Sequence, residues 1–150
     1  MTLPIRLRLD QDTWLGDLVR YGGQFQVDAG FETAVLISLF TYRRAEDDDE
    51  LPGRDEDRQG WWGDSYDDDD QKIGSRLWLL RRSKATRETI AAAKRYVEEA
   101  LAWMLSDGVA SSVVVEVERI EVTVLAIRIT ITKSEGTKYD TLWKVKLDAL

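Results

Sequence analysis

The feature that most constrains this chain is a change of hydrophobic period near its middle. From Thr86 to Ser106 the apolar residues Ile90, Ala93, Val97, Ala100, Leu101, Met104 and Leu105 recur at helical spacing and form one stripe. Lys94, Arg95, Glu98 and Glu99 fall away from that stripe. Thr86 is placed to cap the helix, Glu88 lies in its first turn, and Gly108 supplies a left-handed residue at its end. Beyond Gly108 the period becomes two. Val113, Val115 and Val117 alternate with Val114, Glu116 and Glu118, and Leu125, Ile127, Ile129 and Ile131 alternate with Ala126, Arg128, Thr130 and Thr132. A one-sided helix followed by half-buried strands, each with one polar face, predicts antiparallel pairing with the helix on the apolar face. The phase slips between Val117 and Leu125, which predicts a bulge or turn near Ile120. Glu135-Gly136 marks a turn, and Trp143, Val145 and Leu147 predict a last strand.

The N-terminal half carries weaker patterns. Leu3, Ile5, Leu7 and Leu9 alternate with Pro4, Arg6 and Arg8, as in an edge strand with proline at its start. Gly22-Gly23 predicts a turn within Trp14–Val27, with Phe25 and Val27 alternating in a β-hairpin. Phe31–Arg43 reads as a helix that is apolar nearly all round, hence largely buried. Asp28 and Gly30 are its candidate caps, Glu32 lies in its first turn, and Arg43 and Arg44 lie at its C-terminal end, where cations suit the dipole. Ile73–Leu80 is a short strand or a helical turn after Gly74-Ser75, and its apolar run Leu77–Leu80 belongs to the core. The expected architecture is a single α+β domain over residues 1–150, with an antiparallel or mixed sheet, two main helices packed on one face, and an acidic loop at about 45–72.

Charge is distributed unevenly. The net charge is −7, but residues 46–70 hold 13 acidic and 2 basic residues, a local −11, so the remainder carries +4. Like charges at this density predict an exposed, mobile loop. The acidic total argues against a nucleic-acid partner, and no apolar run reaches the roughly 18 residues of a membrane span. The start, MTLPIRLRLDQD, becomes polar too early for a secretory signal.

Composition also removes whole classes of chemistry. There is no cysteine and no histidine. Disulfides, thiolate and imidazole metal sites, cysteine nucleophiles and Ser-His-Asp catalysis are therefore excluded within this chain. The runs Asp47–Asp49 and Asp67–Asp70 lack the glycine and terminal glutamate of a calcium loop, so no metal or cofactor is assigned. A carbohydrate-active hydrolase is the alternative function, with Asp64 or Asp67 as acid beside Trp61, Trp62 and Tyr66. Against it, carboxylates within a hydrated run gain no raised pKa, and no catalytic residue is assigned.

Gly60-Trp61-Trp62-Gly63-Asp64 is the candidate contact motif. On an extended segment the two tryptophans point to opposite sides, so one seals the core while the other faces a partner; in the other reading both anchor the loop. Arg43, Arg44, Arg76, Arg81 and Arg82 are candidate contacts to anionic surfaces.

These residues, in the order ETAVLISLFTYRRAEDDDELP, GWWGD and GSRLWLLRRSKATRETIAAAKRYVEEALAWMLSDGVA, resemble the Mu-like phage tail baseplate family. That family is related to the sheath-initiating wedge component of contractile tails and to its counterparts in type VI secretion. The resemblance spans roughly Gly30 to Val115. It implies a small α+β structural protein, present in multiple copies around the tail tube, that joins wedge subunits to the first ring of sheath. It implies assembly in the host cytoplasm, residence in the virion baseplate, and no catalysis, although some members carry a lysozyme-like label. Wider relatives open the strand after the long helix with a Glu-Pro-Arg docking signature. The matching place here reads Asp107-Gly108-Val109, so the resemblance does not carry that contact over.

Overall fold

The computed structural model describes residues 7–11, 13, 16–18, 20–21, 24–25, 30–53, 57–66 and 72–150. In chain order the elements are β1 (Leu7–Leu9), β2 (Gly16–Leu18), β3 (Arg20–Tyr21), β4 (Gln24–Phe25), α1 (Phe31–Phe40), α2 (Arg87–Ser106), β5 (Ala110–Glu121), β6 (Val124–Lys133) and β7 (Lys138–Lys146). Short 3-10 turns occupy Trp62–Tyr66, Leu77–Leu80 and Leu147–Ala149. The expected α+β architecture is the observed one: β5, β6 and β7 form an antiparallel meander, and two antiparallel hairpins, β1–β2 and β3–β4, lie at the N-terminal end.

Strand alternation builds the core. The register sets Val115 opposite Ile129, Val117 opposite Ile127, and Ile127 in turn opposite Trp143. Leu125, Ile127, Ile129, Ile131, Trp143 and Val145 are buried, whereas Glu116, Glu118, Arg128 and Lys144 are exposed. Each buried aliphatic contributes roughly 1.5–3 kcal/mol, which fixes the register, since a one-residue slip would turn the row into water. The phase change falls where the spacing puts it, at a register shift between Arg119 and Glu121. α2 lays Ala93, Tyr96, Val97, Ala100, Leu101 and Met104 on this surface. α1 lies on the same face, with Phe31 edge-on to Tyr139 at 5.2 Å and Phe40 edge-on to Trp143 at 5.5 Å.

The ends of α2 follow the sequence: Thr86 Oγ1 accepts a hydrogen bond from Thr89 N at 3.3 Å, and Gly108 has φ +69°. Several expectations need correction. α1 ends at Phe40 rather than Arg43, because Thr41 turns extended and Tyr42 forms a parallel bridge with Ser75. Ser75 N donates to Thr41 O at 2.9 Å and Arg43 N to Ser75 O at 3.0 Å, so Arg43 and Arg44 do not face the helix dipole. Gly30, at φ +80°, is the N-cap and caps through no side chain, while Asp28 lies outside the described residues. Ile37 and Leu105 are exposed although their spacing placed them inward, and Tyr96 takes a place in the core instead. Within Ile73–Leu80 the helical turn is Leu77–Leu80, all four residues buried, after the bridge at Ser75. Leu147 is buried as expected, but in the closing 3-10 turn. Of the first strand, Leu7 and Leu9 are described, and Leu3, Pro4 and Ile5 lie outside the described residues. So do Trp14, Gly22, Gly23 and Val27 of the predicted hairpin, whose β3–β4 pairing is observed.

Candidate assembly interface

Each residue of Gly74-Ser75-Arg76-Leu77-Trp78 has a separate structural reason. Gly74 has φ +99°, and a Cβ there would lie 2.4 Å from Thr41 O, so only glycine lets this segment run against the end of α1. Ser75 Oγ donates a short hydrogen bond to Leu39 O, satisfying a carbonyl that the end of α1 leaves open. Leu77 fills the core, and Trp78 Nε1 donates to Arg43 O at 2.8 Å.

Arg76 is the hub. Its Nη2 and Nε donate to Glu99 Oε2 at 2.8 and 3.2 Å, and its Nη1 donates to Asp49 Oδ2 at 2.7 Å. Arg43 Nη2 lies 3.3 Å from the other oxygen of Glu99. The Arg76 guanidinium also lies 5.0 Å from the Tyr96 ring centre. Burial by itself pulls this guanidinium down, but the hydrogen bonds and charges of Asp49 and Glu99 outweigh it and hold the group above its ordinary value.

That hub reaches into the acidic loop. Glu46 N donates to Asp49 Oδ2 at 2.8 Å and Asp49 N to Glu46 O at 3.1 Å. Arg58 Nη1 donates a short hydrogen bond to Glu46 O, and Nη2 donates to Asp47 O at 3.1 Å. Lys72 lies 3.8 Å from Glu46. Among the loop's described residues Asp47, Asp48 and Glu50 are exposed as expected, but Asp49, with only 11% of its side chain exposed, folds its carboxylate inward onto Arg76.

The GWWGD motif rides on this ordered base. Ala45 N donates to Arg58 O at 2.9 Å, which brings Gly60 beside Arg44; a Cβ at Gly60, where φ is +115°, would lie 2.9 Å from Arg44 Cβ. Asp64 Oδ1 accepts from Ile73 N at 3.2 Å and closes the far side of the loop. The tryptophans correct the expectation of one buried and one exposed ring. The chain coils into a 3-10 turn from Trp62, not an extended run, so the rings lie on one side with centres 5.6 Å apart. Trp61 is 40% exposed and Trp62 74%. Tyr66, 82% exposed, stands edge-on to Trp62 at 6.1 Å. Gly63 is the seat: a Cβ there would lie 2.2 Å from the Trp61 ring, so the indole rests on bare backbone.

The candidate arginines thus divide. Arg43 and Arg76 hold the framework, and Arg81 bonds the Tyr42 hydroxyl at 2.8 Å and the Leu150 carbonyl. Arg44 and Arg82 are exposed. Asp67–Asp70 lie outside the described residues, and no group of three or more metal-ligating side chains occurs among the described ones. Tyr66 entered the sequence reading only as an aromatic of the hydrolase alternative, although its spacing of four from Trp62 was a usable signal for the cluster. Two participants escaped it: Asp49 and Glu99 partner Arg76 from 27 and 23 residues away, with no local trace.

The charged groups described are thus mostly committed to the protein's own framework, while three aromatic rings stand together at its surface, as at surfaces that bind partners. The chain belongs to the phage protein GP46 family, whose model matches residues 31–138. It is similar to the baseplate protein gp46 of Escherichia phage Mu, with 46% identity over 122 residues covering 81% of this chain and 83% of that protein. It is also similar to the Mu-like prophage FluMu protein gp46 of Haemophilus influenzae, 38% identical over 122 residues covering 81% and 82%. The Mu relative carries the name of a baseplate protein and not of an enzyme, so it lends the hydrolase alternative no support.

Proposed function

We propose that this chain, a structural phage-tail baseplate protein by its family, is an inner-wedge subunit that initiates the sheath. In this reading it sits around the tail tube and hub in multiple copies, contacts other wedge subunits, and passes the first ring of sheath a place to start. It assembles in the host cytoplasm and remains in the virion baseplate. The observation that carries the reading is the exposed cluster of Trp61, Trp62 and Tyr66 on a glycine-seated turn. Contiguous exposed aromatics are costly on a free surface and are enriched where partners bind. The cluster serves the wedge contact, and strand addition at an open sheet edge serves the sheath contact. Deleting the gene and restoring it with wild type or with a Trp62→Ala, Tyr66→Ala double variant tests this. The expected result is sheathed tails with wild type only; intact contractile tails without the gene would remove the proposal.

A further inference from the structure

We propose that β5, and not β7, is the edge that receives the partner's strand, and that this strand alternates apolar and basic residues. The inference rests on the baseplate reading above and takes it to one edge and one partner chemistry.

The meander has two outer strands, β5 and β7. The β7 edge is already engaged. Gln11 Nε2 donates to Leu142 O at 3.2 Å, and Gln11 Oε1 accepts from Lys144 N at 3.0 Å. A carbonyl and an N–H two residues apart on one edge are what a residue of an adjoining parallel strand would bond. The Gln11 amide therefore occupies one strand-pairing position and bars an incoming backbone there.

The same two bonds set the phase of the whole ladder. Alternate residues of a strand send their backbone groups to opposite sides. Leu142 and Lys144 point away from β6, so their neighbours across the ladder, Arg128 and Ala126, point towards β5. Those two pair with Glu116 and Glu118. The intervening residues of β5, Val113, Val115 and Val117, hence carry the outward N–H and C=O groups. Among the described residues no strand lies beside them.

This edge is open between two register shifts, at Ala110/Ser112 and Arg119/Glu121. From Ser112 to Arg119 the register is regular, and the run holds neither proline nor lysine, its charges being Glu116, Glu118 and Arg119. On the helix-facing side Val113 and Val117 are only half buried, so an added strand with apolar residues opposite them would complete their cover. On the other side Glu116 and Glu118 are exposed. Charged cross-strand neighbours favour the opposite sign. A second copy of β5 in the register that sets Glu116 opposite Glu118 would bring like charges together, so the charge on this side favours a basic strand.

The test is amide exchange by nuclear magnetic resonance on the full chain, with two capped synthetic peptides as probes, one alternating valine and lysine, the other valine and glutamate. The valine–lysine peptide is expected to slow exchange at Val113, Val115 and Val117 about tenfold. The valine–glutamate peptide is expected to leave these amides unchanged, and Glu116→Lys with Glu118→Lys is expected to reverse the preference. Val117→Pro removes one outward donor while sparing the bonds to β6, and is expected to abolish the protection. Should that variant fail to fold, the charge reversal carries the test alone. Equal effects of both peptides, no effect of either, or protection along β7 would overturn the proposal. In tails, Val117→Pro protein that enters baseplates but starts no sheath supports the β5 edge, and normal sheaths on such baseplates refute it. Absence of the wild-type protein from baseplates would refute the baseplate reading, and the peptide result then decides the edge by itself.

Discussion

Arg76 and Glu99 are joined by two hydrogen bonds, from Nη2 at 2.8 Å and Nε at 3.2 Å, to a single carboxylate oxygen. The contact fastens the segment after the acidic loop to the middle of α2, and Asp49 extends it into the loop itself. Removing the arginine leaves Glu99 with Arg43 and Asp49 with the Glu46 N–H as their remaining partners, in a largely buried setting. Arg76→Ala is expected to lower unfolding free energy by about 2–4 kcal/mol in urea titration. Arg76→Lys is expected to recover less than half, because one ammonium cannot reproduce three directed bonds.

Gly74 tests the close approach of that segment to α1. Gly74→Ala must accommodate a Cβ 2.4 Å from Thr41 O at φ +99°. A loss of about 2–3 kcal/mol is expected, from backbone strain and displacement of the Tyr42–Ser75 bridge. Gly136→Ala is the control. Its φ is +93° but a Cβ there meets nothing within 4 Å, so strain without collision should cost about 1 kcal/mol.

The aromatic cluster should separate stability from assembly. Trp62→Ala is expected to change stability by less than about 0.5 kcal/mol, since most of the ring is in water. Trp61→Ala should cost about 1 kcal/mol through its contact with Gly63. Thermal unfolding checks both, and incorporation into purified baseplates should fall for each variant.

Glu88 gives a pH dependence with a defined sign. Hydrogen bonds from its own backbone N–H and from Thr86 hold its carboxyl below the ordinary value of 4.5. A depressed folded value means the stabilisation is present above about pH 4.5 and is lost as pH falls through the folded value. Glu88→Gln should therefore lower stability at pH 7, where the ionised carboxylate contributes, and its difference from wild type should shrink as pH falls below about 4.5. Urea midpoints across that range measure it.

What was legible in the sequence was what local periodicity encodes. The stripe of α2, its Thr86 cap and the alternation of β5 and β6 depend on residues within a few positions of one another. The end of α1 was not legible, because Tyr42 leaves the helix to pair with Ser75, 33 positions away. Nor was the network around Asp49 in the described part of the acidic loop. Its density of like charge argues for repulsion, and only the fold brings Arg58, Lys72 and Arg76 to the backbone and carboxylates that resolve it. Reading Trp61-Trp62 as extended placed the rings on opposite sides; a 3-10 turn puts them together, and within it Asp64 accepts a hydrogen bond from Ile73 N, nine positions on.

A cryo-electron microscopy map of the assembled tail tests the central claim most directly. The account predicts this chain in the inner baseplate around the tube, with Trp61, Trp62 and Tyr66 against a wedge neighbour and a strand of sheath along Val113–Val117. A baseplate without this chain, or one in which both the aromatic cluster and the sheet edge face solvent, would contradict it.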